Sequence, residues 1–159
     1  MNDLDALYDH VILEHNRRPH HYGKLEGGRR GEGHNPLCGD RLTVFVRLRD
    51  GVIADASFEG FGCAIAMAAA SLMTDHVIGK TVVEAEASFD RLRRLIDPAA
   101  EPGAGGAGHD AVDRFEELGA LAPLGGVGRF PLRVKCATLP WQALFAAVRA
   151  ETGPVVSTE

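Results

Sequence analysis

The stretch RLTVFVRLRDGVIADASFE, residues 41–59, decides the fold class. Leu42, Val44, Val46 and Leu48 alternate with Arg41, Thr43, Phe45, Arg47 and Arg49, the period-two pattern of a strand with one buried face. Beyond Asp50-Gly51 the alternation resumes with Val52, Ala54, Ala56 and Phe58. A two-residue Asp50-Gly51 loop would set Val46 opposite Asp55 and Leu42 opposite Glu59, mixing apolar and acidic residues on one face. A three-residue Arg49-Asp50-Gly51 loop instead pairs Leu48 with Val52, Val46 with Ala54, Val44 with Ala56 and Leu42 with Phe58. The pattern predicts this bulged hairpin, with Gly51 in the left-handed position.

Helices flank the hairpin. Residues from about Asp3 to Glu14 carry Leu4, Leu7, Tyr8 and Val11 on one face, and Pro19 ends that pattern. The Gly-rich GKLEGGRRGEGHNP, residues 23–36, reads as a loop with room for one short edge strand. Cys63 to Ile78, rich in Ala, Met and Leu, reads as a buried helix stopped by Gly79. Thr81 and Glu84 form a capping box for a second helix running to about Ile96, with Val82, Ala85, Phe89, Leu92 and Ile96 inward. A Gly-rich insertion at about 98–109 precedes an inserted region at about 110–132, with a short helix predicted from Ala111 to Leu118. GALAPLGGVGRFPLRVK, residues 119–135, has no periodicity and reads as a loop. A last helix is predicted over Leu139–Ala150, with Pro140 in its first turn and Trp141, Leu144, Phe145 and Val148 as its apolar stripe. The expectation is a single α+β domain over residues 1–159: a small antiparallel sheet packed on one face by about four to five helices.

Of the 159 residues, 45% are apolar and 25% charged, an ordinary globular composition. A net charge of −5 and the lack of a basic run argue against nucleic acid. No apolar run is long enough to span a bilayer, which argues against a membrane role. The acidic start MNDLDALY does not read as a secretory signal, so the expected location is cytoplasmic.

In that reducing compartment three cysteines, an odd number, suggest metal binding or thiol chemistry over disulfides. Cys38 sits in PLCGD, two residues before Asp40. Cys63 opens a helix, where exposed backbone N–H groups favour a thiolate. Cys136 is expected just ahead of the last helix. The hairpin brings Cys38 and Cys63 toward one end of the sheet. Three thiolates and a carboxylate would make a tetrahedral zinc site with one hard, exchangeable corner. No Cys-x-x-Cys pair is present, so on spacing alone three buried, hydrophobe-like cysteines stand as a competing reading.

Three motifs in order, NPLCGDR, EGFGCAIAMAAASLMT and PLRVKCATLPW, make the chain resemble the IscU/NifU-like family of iron–sulfur cluster assembly proteins, of the SufE/IscU-like fold. Lys135 stands directly before the third cysteine where scaffold-type members have histidine, and 73 positions separate Cys63 from Cys136. Both features are similar to the SufU branch. The resemblance implies metal ligands Cys38, Asp40, Cys63 and Cys136 and a Zn2+ ion, or alternatively an iron–sulfur cluster on the same ligands. It implies a sulfurtransferase acting with a pyridoxal-phosphate (PLP)-dependent cysteine desulfurase, SufS-like, and feeding downstream iron–sulfur assembly machinery. Cys38 would then take the persulfide sulfur once partner docking frees its thiolate. Arg133, matching a family arginine, would assist docking or the displaced site; the bland reading is a solvated basic pair with Lys135. A structural zinc module without turnover is the third reading.

His10, His15, His20 and His21 surround the end of the first helix, where a surface role is expected. His34 is expected in a solvent-facing loop, His76 as a hydrogen-bonded core residue, and His109 in the linker.

Overall fold

The computed structural model describes residues 3–26, 28–36, 39–96, 119–149 and 155–157. Helix α1 (Asp3–Arg17) leads into strands β1 (Arg29–Asn35), β2 (Asp40–Arg49) and β3 (Val52–Phe61). Helices α2 (Ala64–Val77) and α3 (Val82–Ile96) follow, then 3-10 segments at Gly119–Arg129 and Pro131–Arg133, helix α4 (Val134–Arg149) and strand β4 (Val155–Ser157). The sheet order is β3-β2-β1-β4, with β4 parallel to β1 and the other pairs antiparallel. The α+β architecture is the one expected. The short helix and Gly-rich insertion expected between residues 98 and 118 lie outside the described residues.

The hairpin register differs from the expected one. The turn is the two-residue Asp50-Gly51, both at positive φ (53° and 78°), so Arg49 pairs with Val52 and Leu48 with Ile53. A bulge then shifts the phase, and Val46 pairs with Ala56, Val44 with Phe58 and Leu42 with Gly60. The extra residue resolves the face-mixing problem by another route: Ile53 and Ala56, three apart, are both fully buried while Ala54 is exposed. Alternation counted along the sequence cannot see a phase change inside a strand.

Leu42, Val44, Val46, Ile53, Ala56 and Phe58 form a fully buried face under α2 and α4. The segment after α1 closes against β3, where Gly23 N–H donates to the Phe58 carbonyl (2.8 Å) and Phe58 N–H to the His21 carbonyl (3.1 Å). The turn between α2 and α3 covers the hairpin end through Ile53 N–H to the Lys80 carbonyl (2.8 Å). The capping box forms as expected, with Glu84 N–H on Thr81 Oγ1 and Thr81 N–H on Glu84 Oε1, each 3.0 Å.

The Gly-rich stretch before Cys38 holds a full strand, and it is not an edge. β1 lies between β2 and β4, with Gly31, Gly33 and Asn35 buried on the face toward α4. A Cβ on Gly31 would lie 2.2 Å from the Ala143 carbonyl oxygen and 2.5 Å from the Ala147 nitrogen. The strand looks like a loop in sequence because its inward positions must lack side chains for α4 to seat.

The aperiodic stretch after residue 118 forms the two 3-10 segments, with Leu121, Leu124 and Val127 in the core. Helix α4 starts five residues earlier than expected, at Val134. Cys136 is therefore in its first turn, and Pro140 is the seventh helical residue. Trp141 is fully buried, with Phe89 stacked on it at 5.6 Å between ring centroids.

His76 on α2 is half-buried, with Nε2 2.8 Å from Ser88 Oγ. Burial, and after it the Lys80 charge, lowers its pKa from 6.5 to about 4. The unfolded chain therefore binds a proton on this residue between pH 6.5 and 4 that the folded protein does not. Stability contributed by the neutral imidazole is fully present above pH 6.5 and is lost as pH falls toward 4. The partly exposed ring limits the loss to about 1 kcal/mol. Denaturant midpoints measured across that range should fall more steeply for the wild-type than for His76→Gln; parallel profiles would contradict this.

Candidate metal centre

Each side chain at the end of the sheet is delivered by a different element. β1 ends at Asn35 and β2 begins at Asp40, which are register partners. Asp40 is fully buried, and its Oδ1 accepts from the Cys63 N–H at 2.7 Å. That close approach needs glycine at position 62, where a Cβ would sit 2.8 Å from Asp40 Oδ1. Cys63 is the N-cap of α2, extended at φ −68° and ψ 166°, and its Sγ accepts from Ala66 N–H at 3.4 Å. Because β1 carries glycines under α4, the first turn of that helix comes down on Asn35. Cys136, fully buried, has its Sγ 3.5 Å from Asn35 Nδ2, and the same amide lies 3.5 Å from Asp40 Oδ2.

Asp40, Cys63 and Cys136 each offer a ligand atom, and these atoms lie within 4.8 Å of one another. Zinc bond lengths of roughly 2.3 Å to sulfur and 2.1 Å to oxygen put tetrahedral donors about 3–4 Å apart, so small side-chain adjustments close the set. A hydrogen bond from the Cys136 side chain, and secondarily the Ala66 and Ile65 N–H groups, lowers the Cys63 pKa to about 6 against opposing burial and the Asp40 charge. The Cys63 sulfur lies 4.0 Å from Asp40 Oδ2. Two thiols, one of lowered pKa, and a carboxyl group gathered in a largely buried pocket are the donor types that zinc takes, so the set fits a metal ion.

Cys38 lies outside the described residues. In sequence it stands between Asn35 and Asp40, both of which line the site. Arg133 and Lys135 are exposed, just before and within the first turn of α4. His34 is on β1 and not in a loop, on the opposite face from Asn35. Asn35 is the one site residue that sequence reading missed. Its signal is the two-residue spacing Gly31, Gly33, Asn35, legible only once the glycines are recognised as strand positions. His15, His20 and His21 gather around Asp75, away from the cysteines; burial, then the neighbouring His20, lowers the His15 pKa.

A family model described as the NifU-like N terminal domain matches residues 7–100. The chain belongs to this family. Among NifU-like relatives, the chain is 38% identical over 151 residues to the zinc-dependent sulfurtransferase SufU of Bacillus subtilis (strain 168), covering 95% of each chain. It is also 38% identical over 149 residues to the iron–sulfur cluster assembly scaffold protein IscU of Streptococcus pyogenes serotype M1, covering 94% of this chain and 87% of the relative. The crystal structure of FiSufU from Fervidobacterium islandicum AW-1 superposes with a TM-score of 0.74 at 31% identity, over 87% of this chain and 94% of that one. These findings agree with the IscU/NifU resemblance and its SufU branch. Among the described residues no helix is long and apolar enough to cross a membrane.

Proposed function

We propose that this protein accepts sulfur from the persulfide of a PLP-dependent cysteine desulfurase and carries it toward iron–sulfur cluster assembly, with a zinc ion held by Cys38, Asp40, Cys63 and Cys136. The observation that carries the reading is the convergence of Asp40, Cys63 and Cys136 from three elements, with ligand atoms within 4.8 Å. The near-equal coverage of the Bacillus SufU chain supports the carrier assignment, as does Lys135 in place of histidine. When bound, zinc would keep the thiols deprotonated and shielded from oxidation. The N-cap position of Cys63 and the Asn35 amide hold the donors in place without a charge of their own.

The transfer itself is thiol–disulfide-like exchange on Cys38. Its thiolate attacks the outer sulfur of the partner's persulfide, a new S–S bond forms on Cys38, and the partner's cysteine leaves as a thiolate. Atoms and electrons balance with no added oxidant. Exposed Arg133, three residues before Cys136, would face the docking partner and its departing negative charge.

A second reading, a cluster scaffold on the same ligands, draws support from the equal 38% identity to the Streptococcus IscU. One assay separates them. The purified protein, its metal content measured, is mixed with a desulfurase and free cysteine. The carrier reading expects about one zinc per chain and at least a roughly tenfold rise in sulfur release that Cys38→Ala abolishes. Iron with a visible-absorbing cluster and no rise would favour the scaffold; zinc with no rise would leave a structural module.

A further inference from the structure

A second group of ligating side chains lies elsewhere on the molecule. His15, near the C-terminal end of α1, His20, in the turn that follows, and Asp75, on α2, each offer a nitrogen or oxygen, and these atoms lie within 4.8 Å of one another. His20 Nδ1 bonds Asp75 Oδ2, and His21 Nε2 lies 2.9 Å from Asp75 Oδ1, so a fourth donor borders the group. The His15 and His20 rings are 4.5 Å apart between centroids. Buried Ser71 organises both: its Oγ lies 2.7 Å from His15 Nδ1 and accepts the His20 backbone N–H at 2.7 Å. A hydrogen bond from the second ring nitrogen is what orients a ligating imidazole. Asp75 is twelve residues past Cys63, about 18 Å along the helix axis, so this group is separate from the cysteine centre.

We propose that His15, His20 and Asp75, bordered by His21, form a second site for a divalent first-row transition-metal ion. Borderline imidazoles with one hard carboxylate suit Zn2+ or Co2+, in contrast to the softer, thiol-rich centre. The ion would join the end of α1 to α2. A simple hydrogen-bonded staple between the same elements would take no metal, and this is the competing account.

Untagged full-length protein, titrated with Co2+, separates the two. The expected result is about two equivalents per chain: one with near-ultraviolet thiolate charge-transfer bands, and a second, weaker one without them. Asp75→Asn, which keeps the side-chain shape, should weaken the second equivalent by roughly tenfold or more, and His20→Ala with Asp75→Asn should remove it. Both variants should retain the charge-transfer bands, which reports an intact fold. Zn2+ beyond the first equivalent should raise the wild-type melting temperature but not that of the double variant. A single equivalent in the wild-type, or a second one that persists in the double variant, overturns the site.

Discussion

On the proposed zinc-carrier reading, Cys63→Ala should lose tight metal binding and sulfur acceptance together. Four-ligand zinc sites bind with roughly 10–16 kcal/mol, so one donor accounts for about 3–4 kcal/mol, or a 100- to 1,000-fold loss of affinity. Competition with a chromogenic chelator measures this directly. Removing Cys63 also strips α2 of its N-cap, whose Sγ accepts the Ala66 N–H, so without metal the variant should melt about 3 °C below the metal-stripped wild-type. Metal at about a thousand times its Kd adds roughly 4 kcal/mol, which for a chain of this size means a melting temperature about 10 °C higher in the loaded wild-type. An affinity within a few-fold of the wild-type in Cys63→Ala would remove Cys63 from the ligand set.

Gly31→Ala should weaken the fold sharply, because it sets a methyl group where the α4 backbone already lies. Its Cβ would meet backbone, the Ala143 carbonyl at 2.2 Å and the Ala147 nitrogen at 2.5 Å, and backbone cannot rotate away. Helix α4 must lift off β1, at a cost of about 3 kcal/mol or more. Because Cys136 rides on α4, metal affinity should fall along with stability. Gly33→Ala is the control: its Cβ would meet the Leu139 Cδ1 at 2.8 Å, the end of a flexible side chain, and about 1 kcal/mol should suffice. Equal denaturation midpoints for the two variants would mean that α4 does not seat on β1 as described.

Short-range patterns carried much of the fold. The alternation on either side of Asp50-Gly51, the run from Cys63 to Ile78 stopped by Gly79, which forms α2 over Ala64–Val77, and the Thr81–Glu84 box were all readable, because each depends on residues within one or two turns of chain. The candidate donors were readable too, as thiols and a carboxylate beside turns and helix starts. The hairpin register was not. A bulge near Ala54 answers to which residues the helices bury, and that pressure comes from outside the strand. Cys136 was expected ahead of its helix because Pro140 looked like a first-turn residue; packing against β1 sustains the helix through it.

Amino-acid order by itself determined the α+β class, the strands and helices with strong periodicity, and which side chains could bind a metal. Tertiary structure alone decided that the Gly-rich stretch is an interior strand, that Asn35 sits between Asp40 and Cys136, and that His15, His20 and Asp75 meet. The contacts that decide them include His20 with Asp75, 55 positions apart, and Asn35 with Cys136, 101 apart, set by how closely helix and sheet can approach. No local pattern encodes that distance.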